Sequence, residues 1–215
     1  MTDKRTTVTS RVYRRINRGL TKRIKRIKNK RYEKNIRKRI KNDNFSIISS
    51  TCVGGIIYHR LNKRFLSPTV NLWFYQDDFL KFITDLKQYL SYDLRFVKGI
   101  RDYPVAYLGD IRIFFMHYNS EDEARQAWIR RKERINYDNL YIILQDSDKI
   151  TDEDIRNLKD VNCRNIIVLS NKNRKNLQYI QPIRTTEKFT NKDKYGMRVF
   201  EKQWDYVKWL NSEKA

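Results

Sequence analysis

Residues 140–144 (LYIIL) and 165–169 (NIIVL) are two short runs with almost no polar side chain among them. Each has the length of a strand and is rich in β-branched residues, yet neither alternates polar with apolar. A strand that is apolar on both faces is covered on both faces, and such strands belong to sheets wrapped on either side. The segments between them support that reading. Residues 45–52 (FSIISSTC), 69–75 (TVNLWFY) and 94–97 are further strand candidates. Phe79, Phe82, Ile83, Leu86 and Leu90 recur at helical spacing behind Asp77, which reads as an N-cap. Ser120 with Glu123 forms a capping box ahead of Ala124, Ala127 and Trp128, and Thr151 caps a helix carrying Ile155 and Leu158. Residues 105–108 and 111–118 flank Gly109-Asp110 as a hairpin. Phe200, Trp204, Val207 and Leu210 mark a closing helix. Strands alternating with helices predict an α/β domain: one mixed, mostly parallel sheet with helices on both faces, spanning residues 44–215.

Charge separates that domain from what precedes it. Residues 1–43 hold 18 Lys and Arg against Asp3, Glu33 and Asp43, a net of +15 out of +22 for the chain. Residues 44–215 therefore carry +7. Within the basic segment Val12, Ile16, Leu20, Ile24 and Ile27 recur at spacings of four and three, with Ile36 and Ile40 read as extending the row. An aliphatic stripe between rows of Lys and Arg predicts a helical arm lying on an anionic membrane surface through residues 11–41. Each engaged cation there contributes about 1 kcal/mol. A solvated arm without a dedicated partner and a nucleic-acid-binding arm are the competing readings. The second is disfavoured because only Tyr13 and Tyr32 offer stacking and no nucleic-acid motif follows. No stretch has the apolar run of a signal peptide or a membrane span. Cys52 and Cys163 make no disulfide framework. The expected location is cytoplasmic, peripheral on the inner membrane face.

Chemistry in an open α/β sheet gathers at the carboxyl ends of strands. The first strand ends in Ser49-Ser50-Thr51-Cys52-Val53-Gly54-Gly55, where hydroxyls, a thiol and backbone N–H groups can hold an anion. Ser50, Gly54 and Gly55 are the anion-binding candidates, although the turn matches neither a dinucleotide fingerprint nor a P-loop. The chain's two histidines, His59 and His117, both fall near predicted strand ends. Either can serve as general base for a hydroxyl nucleophile. Cys52 becomes a nucleophile if an imidazole activates it; otherwise it is a small buried side chain. Asn71, polar inside an apolar strand, asks for a partner or ligand. Asp110 in its turn and Arg131 beside Trp128 are further substrate-binding candidates, each with an ordinary structural explanation. Cys52, His59 and His117 have no standard metal-ligand spacing, so no metal is assigned and the cofactor is left unknown.

Three stretches carry a resemblance. NFSIISSTCVGGIIYHRLNKRFLSPTVNLWF, YPVAYLGDIRIFFMHYNSEDEARQAWIRRKERINYDNLYIIL and FEKQWDYVKWLN, in that order, resemble a bacterial exopolysaccharide (capsule) biosynthesis protein family of unknown function. The resemblance covers roughly residues 44–212 and leaves the arm outside. It implies a Rossmann-like fold and a role in polysaccharide assembly, with acyltransferase or glycosyltransferase as the activities attached to such proteins. The resembling stretches contain Cys52, Gly54, Gly55, His59, Asn71, Asp110, His117 and Tyr118, so Tyr118 joins the substrate-binding candidates. The expectation is a transferase acting on a glycan, with an activated-sugar or acyl donor, at the inner membrane face. A non-catalytic adaptor of polysaccharide assembly and a basic nucleic-acid-binding protein are the alternatives. Adjacent acids occur only at predicted helix starts, where capping accounts for them, and this tilts the expectation toward acyl transfer or another metal-free transfer.

Overall fold

The computed structural model describes residues 4–147, 149–174 and 176–212, with side chains from Gly19 onward. The chain runs through α1 (Lys4–Arg39), β1 (Ser46–Ser49), α2 (Val53–Leu61), β2 (Trp73–Phe74), α3 (Gln76–Thr84), α4 (Leu86–Ser91) and β3 (Leu94–Val97). It continues through β4 (Val105–Leu108), β5 (Ile111–Phe114), α5 (Glu121–Lys132), β6 (Leu140–Gln145), α6 (Asp152–Asn157), β7 (Asn165–Ser170), β8 (Ile180–Pro182), α7 (Val199–Gln203) and α8 (Tyr206–Leu210).

The fold is mixed α/β, with two sheets where one was expected. A parallel sheet has the order β1-β6-β7-β8, and an antiparallel sheet has the order β2-β5-β4-β3. The difference follows from burial. On β6, Leu140, Ile142 and Leu144 enter one core with Ile48, Ile166 and Val168, while Tyr141 and Ile143 enter a second with Ile47, Ile167 and Leu169. These strands are covered on both faces, as their composition demands. The hairpin strands are different: Ala106, Leu108, Ile111 and Ile113 are fully buried, whereas on the other face Tyr107 and Arg112 stay half-buried and only Val105 and Phe114 at the far end are covered. Strands covered mainly on one face fit an antiparallel sheet, and β2 joins it by pairing Trp73 with Phe114.

The first core lies between the parallel sheet and the antiparallel sheet with α3 (Phe79, Phe82) and α5 (Ala124, Trp128). The second lies under α2 (Val53, Ile57, Leu61), α8 (Val207, Leu210) and Phe200 of α7. The expected caps form: Ser120 Oγ accepts from Glu123 N at 3.2 Å, and Thr151 Oγ1 accepts from Asp154 N at 3.1 Å. Three expectations change. The helix expected from Asp77 begins at Gln76 and breaks at Asp85, so Asp77 sits in its first turn rather than at the cap. The closing helix divides at Trp204-Asp205, where Asp205 Oδ1 accepts from Lys208 N at 3.2 Å and restarts it. Residues 69–71 form a turn instead of a strand, with Asn71 left-handed at φ 65°. Asn tolerates that conformation better than other non-glycine residues.

Helix α1 does not carry one continuous stripe. Ile36 lies nine positions after Ile27. At 3.6 residues per turn that is two and a half turns, so the two point in opposite directions. Ile36 is 2% exposed in the second core, with Tyr32 and Ile40 packed against it. Leu20, Ile24 and Ile27 are 53%, 41% and 40% exposed. Val12 and Ile16 lie outside the described side chains. The helix is held to the body by Arg60, whose Nη1 donates to Asn29 Oδ1 at 2.7 Å and Glu33 Oε1 at 2.9 Å. Tyr32 Oη adds a hydrogen bond to Tyr206 Oη at 2.9 Å.

Candidate functional site

Strand β1 delivers the chain to the site and α2 carries it away. Ser49 Oγ accepts from Gly54 N at 3.4 Å, tying the helix start to the strand end. Gly54 is required by close approach: a Cβ there would stand 2.9 Å from Ser49 Cβ and 3.1 Å from Ile47 Cγ2. Ser50 Oγ accepts from Gln145 N at 3.0 Å and fastens β1 to β6. Ser50 and Gly54 are thus engaged within the fold.

Beyond this turn opens a cleft of about 630 Å³. Cys52, Gly55, His59, Asn71 and His117 all line it. Five sequence candidates from three separate segments therefore share one site. Cys52 Sγ and His117 Nε2 lie 3.5 Å apart, within hydrogen-bonding reach. Burial raises the Cys52 thiol above its ordinary value, and the positive charge of Arg198 only partly opposes this. The thiol thus keeps its proton near neutral pH. Cys52 is not a standing thiolate, and His117 is the group beside it with a free basic nitrogen to offer in its neutral form. Both histidines are exposed to the cleft.

The other candidates lie elsewhere. Asp110 occupies the β4–β5 turn, where its carboxylate takes hydrogen bonds from Lys81 Nζ at 2.5 Å and Tyr89 Oη at 2.8 Å. Those two bonds hold it below the usual carboxylate range. Tyr118 Oη donates to Val70 O at 3.3 Å, and Arg131 Nη1 donates to Tyr118 Oη and, at 3.2 Å, to Val70 O. These residues brace the 69–71 turn that presents Asn71. The structure does not bring Ser50, Gly54, Asp110, Tyr118 or Arg131 to the lining of the cleft.

The opposite wall comes from residues with no visible motif. Lys25 and Asn29 of α1 line it together with Lys192 and Arg198. A small hairpin supplies the last two: Lys192 pairs with Arg198 antiparallel, and Asp193 N donates to Met197 O at 2.9 Å. Gly196 turns it at φ +84°, and its carbonyl accepts from Arg60 Nη2 at 3.0 Å. Asn29 Nδ2 donates to Tyr195 O at 2.5 Å, so α1 and the hairpin are joined directly. Like charges gather here. Arg198 foremost, then burial and the charges of Lys25 and Arg60, depress Lys192 below an ordinary lysine. Among the described residues, no three His, Cys, Asp or Glu side chains form a metal-ligand group.

Residues 23–211 match the family described as "Domain of unknown function (DUF1919)". An uncharacterised protein of Haemophilus influenzae (strain ATCC 51907 / DSM 11121 / KW20 / Rd) is similar, with 34% identity over 183 residues, 82% of this chain and 88% of the relative. The family match begins at residue 23, well before residue 44, where the resembling stretches start. The structure explains the extension, because Lys25, Asn29, Glu33 and Ile36 of α1 contact the cleft and the second core. By the extent of this match and by that relative, the chain belongs to the DUF1919 family.

Proposed function

We propose that the protein is a transferase of surface-polysaccharide assembly that works at the cytoplasmic face of the membrane. The observation that carries the reading is the convergence of Cys52, His59, Asn71 and His117 on one cation-walled cleft. The parallel order β1-β6-β7-β8, with the cleft beyond the carboxyl end of β1, supports a Rossmann-like description of the domain. In the cleft His117 acts as general base. It takes the proton of an acceptor sugar hydroxyl as that oxygen bonds to the transferred group. The bond from that group to the donor breaks, and the leaving group departs with the electron pair. The Cys52 thiol holds the imidazole in place, and Asn71 and His59 offer hydrogen bonds to the sugar.

The chemical structure of the surface polysaccharide, compared between cells with and without the protein, tests this reading. A lost substituent identifies a modifying transferase and a lost sugar a glycosyltransferase. An unchanged polymer sinks the proposal.

Attachment to the membrane is the second part of the reading. Among the described residues no helix is long and apolar enough to cross a bilayer. Leu20, Ile24 and Ile27 form an exposed row on α1, pointing away from the body and flanked by Lys22, Arg23, Arg26 and Lys28. Such a row suits insertion among anionic headgroups. In flotation with phosphatidylglycerol-containing vesicles at physiological salt, the native chain is expected to rise with the lipid. The triple variant Leu20→Ser, Ile24→Ser, Ile27→Ser is expected to stay behind. Equal flotation of both would leave charge alone as the cause and remove the role of the apolar row.

A further inference from the structure

We infer that the donor leaves as a phosphate or diphosphate, and that Lys25, Lys192 and Arg198 form the subsite receiving it. The inference deepens the transferase reading and rests on it, since it names the leaving group of that reaction.

Three cations from two segments distant in sequence meet on one wall of the cleft. Among the described residues no salt bridge joins any of them to a carboxylate. The acids nearest in the chain are committed elsewhere: Asp193 accepts from Tyr195 N, Met197 N and Lys202 Nζ, and Glu201 and Glu33 both hold Arg60. Arg198 gives Nη1 to Thr190 O at 2.6 Å, while its Nε is buried without an acceptor. A buried donor left unbonded is unfavourable by about 1–3 kcal/mol in general, more when charged, so such a group in a cleft points to a missing acceptor. A guanidinium edge is shaped for two phosphate oxygens, and two lysines beside it supply the charge of a dianion. The mutual repulsion that depresses Lys192 would be relieved by an anion between the three.

Position supports the same ligand. The charge of Arg198 is felt at Cys52, which pairs with His117. Arg198, Cys52 and His117 line the same cleft, so an anion held by Arg198 shares it with the proposed base. In the transfer, the acceptor oxygen bonds to the sugar carbon and the carbon–oxygen bond to phosphate breaks. The electron pair stays on the phosphate oxygen, where the cations stabilise it, and the acceptor proton stays on His117. This selects a phosphate-activated sugar over a thioester donor, whose leaving sulfur would find no use for three cations.

Inorganic pyrophosphate, titrated calorimetrically into the full chain, is the test. It is expected to bind, and affinity is expected to fall at least tenfold in Lys192→Gln and in Arg198→Gln. Arg156→Gln, on the surface of α6, should bind as the native chain does. Lys192 is exposed, so its variant reports on the site even if Arg198→Gln folds poorly. Competition by uridine diphosphate would assign the phosphate to a soluble nucleotide donor. Competition by a polyprenyl phosphate in neutral phosphatidylcholine vesicles would assign it to a lipid-linked one. Either supports the subsite. No binding, or equal binding by the native chain and both cleft variants, overturns it. The polysaccharide comparison stands apart from this result. A changed polymer without pyrophosphate binding would keep the transferase and discard its phosphate donor.

Discussion

Glu201→Gln is expected to lower stability by about 3–5 kcal/mol, the usual effect of removing one partner from a buried ion pair. Arg60 Nε and Nη2 meet Glu201 Oε1 and Oε2 at 2.7 and 3.1 Å, a bidentate pair with the Glu201 side chain fully covered. The same carboxylate accepts from Arg198 N at 2.7 Å, and Arg60 reaches on to Asn29, Glu33 and Gly196 O. Four parts of the chain thus share one guanidinium: α2, α1, the 191–199 hairpin and α7. With glutamine at 201 the guanidinium loses its fully buried counter-charge and keeps only Glu33, which is partly exposed. At ~2–4 °C per kcal/mol for a domain of this size, the melting temperature should fall by roughly 6–20 °C. Hydrogen exchange should rise first in residues 25–40 and 191–199. Arg156→Ala removes an exposed i,i+3 pair with Glu153 and should change stability by no more than ~0.5 kcal/mol. A melting temperature for Glu201→Gln within a degree or two of the native value would mean that α1 is not held by this network.

The largest effect on activity is expected at His117. If it is the general base, His117→Gln should slow glycan transfer by about 10²–10⁴-fold. The folded state should hardly notice, since His117 is exposed on the loop after β5 and its one polar contact among the described residues is the Cys52 thiol. Stability is expected within ±0.5 kcal/mol of native, as for ordinary surface positions. Cys52→Ser separates two roles. A covalent thiol nucleophile would make this variant as inactive as His117→Gln. A thiol that only steadies the imidazole would leave activity within about tenfold of native. The raised thiol favours the second outcome. Full activity in His117→Gln would move the base to His59 or remove general-base catalysis from this cleft.

Much of this protein follows from local pattern. The runs at 140–144 and 165–169 are strands covered on both faces because nothing polar in them needs water. Ser120 and Thr151 cap helices because a hydroxyl three residues before a backbone N–H satisfies it wherever the rest of the chain goes. Cys52, Gly55, His59, Asn71 and His117 could be singled out because strand ends present side chains to clefts, and the structure does bring these five together. Even the half-turn offset between Ile27 and Ile36 is written in their spacing, although the charge around them hides it.

The tertiary structure alone decided how those pieces combine. Whether the hairpin entered the parallel sheet or built its own depended on partners far along the chain, β6 beside β1 and Trp73 beside Phe114. Asn71 is left-handed because its turn is braced from outside by Tyr118 and Arg131, through the carbonyl of Val70. The cationic wall is the clearest case. Lys25 belongs to a helix that reads as a surface address, and Lys192 and Arg198 belong to a segment with no periodicity at all. What joins them is the fully bonded guanidinium of Arg60, and a hydrogen-bond network among residues more than a hundred positions apart leaves no periodic trace in a sequence. The basic segment announced itself by its charge, but its fit against the cleft depended on side chains that only the folded chain brings within reach.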